Sequence, residues 1–143
     1  MTALDVASYI IERTGSISAM KLQKLVYYCQ AWSLAWTGAP LFSNRIEAWE
    51  KGPVVRDLYA AHRGHFEVDT VPGNAAALGS DARRIVDAVL KTYNAFSPDA
   101  LSDLTHSEAP WTDARTDVTP GARSNAEITQ RAMRSYYSWL AKQ

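Results

Sequence analysis

Apolar residues recur along this chain mostly at intervals of three and four, the spacing that lines one side of an α-helix. The first stripe, Val6, Ala7, Ile10 and Ile11, follows Thr2, a capping residue with Asp5 three positions on, and Gly15 ends it. The second is the longest. Leu22, Leu25, Val26, Cys29, Trp32 and Trp36 mark one face of a helix over residues 18–38, opened by Ser18, closed by Gly38 and stopped by Pro40. With further aromatic residues at 27 and 28 it is expected to be the central helix, with Lys21 and Lys24 on its wet side.

The helical period is lost over residues 41–51, where Ile46, Ala48 and Glu50 alternate with Glu47 and Trp49, a pattern that suits a short strand, an extended arm or a β-hairpin. Gly52–Pro53 then punctuates the chain, and proline's preference for a helix's first turn predicts a short helix over 54–62. Residues 64–79, with three glycines, a proline and an alanine tract, predict the longest loop. Ser80 and Asp81 open an amphipathic helix whose inner face is Ile85, Val86, Val89, Leu90, Tyr93 and Phe96. Ser97–Pro98–Asp99 restarts a helix that runs to about Thr105. After the peptide SEAPW and a turn-rich connection over 116–123, Ser124 and Glu127 stand in capping-box register before a last helix carrying Ile128, Ala132, Tyr136, Trp139 and Leu140. The expected fold is mainly α: a single compact multi-helix domain over residues 1–143, with a short extended or β-hairpin arm around 41–51.

Composition changes this picture little: 47% of residues are hydrophobic and 21% charged, as in ordinary globular domains. Lys plus Arg equals Asp plus Glu at 15 each, and this absence of a basic excess counts against a nucleic-acid partner. One cysteine excludes an intrachain disulfide. With no basic-then-apolar leader and no run near the ~20 apolar residues of a membrane span, the expectation is a reduced, cytoplasmic protein without membrane attachment.

Candidate chemistry is sparse. Cys29 sits mid-helix on the apolar stripe, where a thiol behaves as a small hydrophobe rather than a nucleophile. His62 and His65 are separated by Gly64 and lack the further ligands that zinc needs. His106–Ser107–Glu108 resembles the first half of a zinc deaminase pattern, but no cysteine follows it. The glycines are scattered singly, so no phosphate-cradling loop exists, and Glu47 and Glu50 read as solvated charges. No catalytic residues, cofactor or metal are therefore expected. Lys21, Lys24, Arg83 and Arg84 read as the wet faces of helices rather than a nucleic-acid surface. Five tryptophans and seven tyrosines are more informative, because these residues dominate protein interfaces. Trp32, Trp36 and Tyr93 are expected in the core. Trp49 and Trp111, each beside a proline or proline–glycine breaker, are expected to be exposed anchors.

Three segments taken together resemble one family: KLQKLVYYCQAW (21–32), the stretch from Pro40 through IEAWEKGPVV to Leu58 and Tyr59, and LSDLTHSEAPW (101–111) followed by a terminal helix with Ile128, Tyr136 and Tyr137. In this order they resemble the Panacea antitoxin domain, also described as SocA-like or phage-associated, over about residues 4–140. The resemblance implies a mainly helical domain that neutralises a toxin encoded nearby by binding it directly. At least one branch also acts as a proteolytic adaptor to a ClpXP-type protease. The motif positions that carry over are Lys21, Leu22, Lys24, Leu25, Tyr27, Tyr28 and Trp32; Trp49, Gly52, Pro53 and Val54; and Thr105, His106, Pro110 and Trp111.

From these pieces the partner-binding surface is expected to join the arm at Trp49, Gly52 and Pro53 to the segment at Thr105, His106, Pro110 and Trp111. Other functions carry their own signatures: protease-dependent loss of the toxin for an adaptor, one basic face for a DNA-binding repressor, and a deep polar pocket with His106 and Glu108 for an enzyme on a small molecule.

Overall fold

The helix expected to be central is the axis of the molecule. The computed structural model describes residues 1–143. In chain order the elements are α1 (Ala3–Thr14), β1 (Ile17–Ser18), α2 (Ala19–Thr37), β2 (Ile46–Trp49), β3 (Gly52–Val55), α3 (Arg56–His62), β4 (Glu67–Val68), α4 (Ser80–Tyr93), α5 (Pro98–His106), α6 (Ala109–Ala114) and α7 (Gln130–Leu140). No helix is long and apolar enough to cross a membrane.

The caps of α1 and α2 stand where the sequence places them. Thr2 and Asp5 close a capping box on α1. Ser18 accepts from Lys21 N–H, and Gly38 ends α2 in the left-handed conformation at φ 78°. The one-sided stripe does not hold, however. Every residue from 22 to 31 is buried, because α1, α4, α7 and the β2–β3 hairpin surround α2. Lys24, expected on the wet side, is only 2% exposed.

That burial gives α2 a second task. Its inward polar side chains bond to the backbone of segments that have no regular partner. Gln23 Oε1 accepts from Val55 N–H at 2.8 Å, and Gln23 Nε2 donates to Val55 C=O at 3.2 Å. Lys24 Nζ donates to Pro53 C=O at 3.2 Å. About two turns further, Gln30 Oε1 accepts from Leu41 N–H and its Nε2 donates to Phe42 C=O at 2.7 Å. Buried backbone groups need such partners, and here side chains provide them.

The hairpin pairs Ile46 with Val55 and Trp49 with Gly52 across a turn at Glu50 and Lys51. The helix expected over 54–62 therefore starts later, at Arg56, and Pro53 lies in a strand. Proline is acceptable there because its missing N–H would face away from β2, on the edge that α2 covers. Residues 126–128 run along the other edge of β2, with Ala48 N–H bonded to Ala126 C=O and Ile128 N–H to Ile46 C=O. The expected capping box at Ser124 and Glu127 is thus displaced. Ser124 Oγ accepts locally from Ala126 N–H, and Thr129 is the real cap of α7.

Other departures have similar causes. The loop over 64–79 contains β4, which pairs with β1, and a short 3₁₀ turn at Ala75–Ala77. The SEAPW peptide opens α6 with Pro110 in its first turn. Of the stripe expected on the last helix, Ile128 is buried just before α7, and Tyr136 and Leu140 pack partly against the core. α7 itself buries Met133 and Tyr137 and leaves Trp139 55% exposed. Trp36 and Phe96, both expected inside, are 49% and 40% exposed.

Replacing Gln23 by leucine keeps the side chain's bulk but orphans Val55 N–H and C=O. Urea denaturation should show a loss of about 2–5 kcal/mol, one unmet buried group costing about 1–3 kcal/mol. A change below about 1 kcal/mol would show that the strand edge does not need this residue.

Candidate partner-binding site

The seven residues expected at the partner surface come together, but mostly by their inner sides. Gly52 and Pro53 lie on β3, Thr105 and His106 end α5, and Pro110 and Trp111 open α6. Ser102 Oγ donates to Lys51 C=O at 2.6 Å, and Trp111 Nε1 donates to Trp49 C=O at 2.8 Å, tying both helices to the hairpin turn. Gly52 has φ 120°, and a Cβ there would overlap the Lys24 side chain and crowd Thr105 Oγ1 at 3.1 Å. The hairpin therefore packs as closely as glycine allows.

Gly52, Pro53, Thr105 and Pro110 are buried, while Trp49, His106 and Trp111 are half-buried. The expectation of freely exposed tryptophans needs correction. The Trp111 ring is stacked on His106 at a 3.9 Å centroid distance, and the guanidinium of the buried Arg115 lies 5.1 Å from its centre. The Trp49 indole N–H donates to Glu47 Oε1 at 2.8 Å, and its ring meets Tyr59 edge-on at 4.9 Å.

Trp49 nevertheless has one open side. It borders an open groove of about 720 Å³ with Glu47, Glu50, Arg56, Tyr59 and Arg123. Sequence reading found none of these companions as a site. Glu47, read as solvated, is 1% exposed, with Arg45 Nε at 2.9 Å and Arg56 at 3.6 Å. Strand alternation placed Glu47 opposite Ile46 and Ala48, but it could not show that both faces of β2 are covered.

The titratable groups behind the hairpin are tuned by burial. Lys24 has no carboxylate partner, and desolvation draws its amine down to about 7. Burial also lowers the His62 imidazole, whose Nε2 lies 3.0 Å from Gln23 Nε2. Because that amide nitrogen donates, Nε2 must accept, which fixes the neutral ring with its proton on Nδ1. His106 is lowered by burial too, and its Nε2 is buried without a hydrogen-bond partner. Glu108 does not share a pocket with His106. Its carboxylate accepts from Tyr28 at 2.7 Å and Tyr137 at 2.8 Å inside the core, and burial raises it above the ordinary carboxylate range. Cys29 is fully buried and its thiol pushed up, an unreactive state. No three His, Cys, Asp or Glu side chains converge as a metal would require.

Lys24 is harder to protonate in the folded chain than in the unfolded one, whose amine titrates near 10.5. Falling pH in that window favours the unfolded state, so stability should rise with pH from about 7.5 to about 9.5, with a slope approaching 1.4 kcal/mol per unit. Denaturant titrations of Lys24→Met should show that slope flattened. An equal slope in both proteins would mean that the amine stays charged within the fold.

A family model described as antitoxin SocA-like, Panacea domain, matches residues 22–112. No curated protein and no solved structure matches the chain. The matched span is narrower than the resemblance over 4–140, yet it holds α2, the hairpin, α5 and the opening of α6, the elements that build this site. It covers well over half of the sequence, and the chain belongs to the SocA-like Panacea antitoxin family.

Proposed function

We propose that this protein is a non-enzymatic antitoxin that neutralises a cognate toxin, encoded nearby, by binding it through the hairpin groove. The observation that carries this reading is the pairing of a ready contact surface with a locked backbone. Trp49, Tyr59, Arg56 and Arg123 line the groove, and residue types of this kind supply most of the binding energy at protein interfaces. The hairpin beneath them is held by Gln23, Lys24 and Ser102, so little conformational freedom remains to be lost on docking.

The seven residues expected at the partner surface then divide their work. Trp49 presents its open side to the toxin, with the accessible parts of His106 and Trp111 beside it. Gly52, Pro53 and Thr105 keep the hairpin against α2 and α5, and Pro110 starts the helix that carries Trp111. Arg56 and Arg123, set against Glu50, let the rim discriminate partners by charge and speed their encounter.

Co-expression with the neighbouring gene's product should restore growth, and the two proteins should co-purify. Arg56→Ala and Trp49→Ala should each weaken binding by about 10- to 100-fold, the usual range for an interface anchor, while remaining folded. Trp111→Ala should melt early instead, since it opens a hole and strips Trp49 C=O of its donor. Full-strength binding by folded Trp49→Ala and Arg56→Ala proteins would exclude the hairpin groove as the interface.

A further inference from the structure

The outer face of α7 is left unexplained by the hairpin site. Its inner side is fixed by Tyr137, whose hydroxyl meets Glu108 at 2.8 Å and whose ring meets Trp32 at 5.4 Å. From there a series of aromatic contacts runs outward in both directions. Trp32 stacks on Trp36 at 5.1 Å, Tyr137 meets Tyr136 at 4.9 Å, and Tyr136 meets Trp139 at 5.6 Å. Both ends of the series, Trp36 and Trp139, are about half exposed, at 49% and 55%. Of the two ends, Trp139 stands beside Tyr136 on the outer side of α7, an exposed aromatic pair at the rim of a groove, the kind of apolar feature that marks interaction sites.

Charge identifies what the patch suits. Arg131, Ser135 and Trp139 stand four residues apart on one exposed face, with Lys142 just beyond. Arg131, Arg134 and Lys142 form no ion pair, and residues 128–143 contain no Asp or Glu. Arg131 lies in the first turn of α7, next to the positive end of the helix dipole, where a cation is disfavoured. Beside this face a shallow groove of about 360 Å³ separates α7 from α6, with Pro110, Asp113, Ala132, Ser135, Tyr136 and Trp139 among its lining. Asp113 supplies its single carboxylate, from the α6 wall.

We infer that this face and its groove are a second docking surface, and that its occupant is an acidic segment of the toxin bearing an aliphatic or aromatic anchor. The anchor fills the groove against Tyr136 and Trp139, while its flanking carboxylates meet Arg131 and Lys142. A second copy of this chain is the wrong occupant, because two identical cationic faces repel. The inference rests on the antitoxin reading and adds to it the chemistry of the partner. The surface borders α6 through Pro110 and Asp113, whereas Trp111 of the same helix bonds to the hairpin turn, so the two surfaces are separate.

The test is calorimetric titration of the full chain with the neighbouring gene's product, using wild type, Trp139→Ser and Arg131→Glu/Lys142→Glu. Each variant should melt like wild type and bind roughly tenfold more weakly, as expected for loss of an interface anchor. Raising the salt should weaken wild type more than the charge-reversed protein. Wild-type affinity in both variants overturns this surface while leaving the antitoxin reading standing. No binding and no rescue by wild type sinks both. Two further results overturn the assignment: Trp139-dependent sedimentation with phosphatidylglycerol vesicles, which would make the face a membrane contact, or a dimer that Trp139→Ser dissolves.

Discussion

A strand that ends a sheet inside a protein leaves backbone groups with nowhere to bond, and this fold answers with side chains of its central helix. β3 has β2 on one side and α2 on the other, and the helix cannot offer backbone donors or acceptors laterally. Gln23 gives Val55 both a donor and an acceptor, Lys24 gives Pro53 a donor, and Pro53 itself removes the one N–H that would have remained. Gln30 repeats the arrangement at Leu41 and Phe42. Burying Gln23, Lys24 and Gln30 on one helix costs desolvation. The cost is offset for the two glutamines by hydrogen bonds at both ends of the amide, and for Lys24 by one bond to Pro53 C=O and a lowered affinity for its proton. In return the two-stranded hairpin, marginal on its own, becomes a fixed wall.

The second polar assembly lies on the other side of α2. Glu108 precedes the first residue of α6 and its carboxylate accepts from the hydroxyls of Tyr28 and Tyr137, while the Tyr27 hydroxyl lies 3.0 Å from that of Tyr137. One carboxylate thus joins α2, α6 and α7, and the rings around it supply apolar packing at the same points. Its position also separates it from the histidine two residues before it: the carboxylate faces the core, and His106 stacks on Trp111. It also sets the rotation of α7. Once Tyr137 is turned inward, Tyr136 and Trp139 must lie toward the surface.

The two assemblies share α6. On one side Trp111 anchors the hairpin turn, and on the other Pro110 and Asp113 border α7. The groove between α6 and α7 is walled by two packed helices, and the hairpin groove by β2, α3 and the segment around Arg123. The family that the chain belongs to is one of antitoxins, and a rigid frame with aromatic and charged rims suits recognition of a protein surface.

By itself, the sequence determined the local features. The caps at Thr2, Ser18 and Ser97, the left-handed stop at Gly38 and the extended character of residues 46–49 all follow from short-range chemistry that acts whatever surrounds it. The order of the KLQKL, EKGP and THSEAPW segments also carried the family. Tertiary structure alone decided the rest. Lys24 and Glu47 are buried because other elements cover the sides that periodicity assigned to water. Pro53 enters a strand because α2 occupies its edge, and Ser124 loses its capping role because residues 126–128 bond to β2 instead. Trp139 stays outside because Tyr137, held by Glu108, fixes which face of α7 turns in. Spacing reveals which residues share a face, but only the packed neighbours establish whether that face meets water.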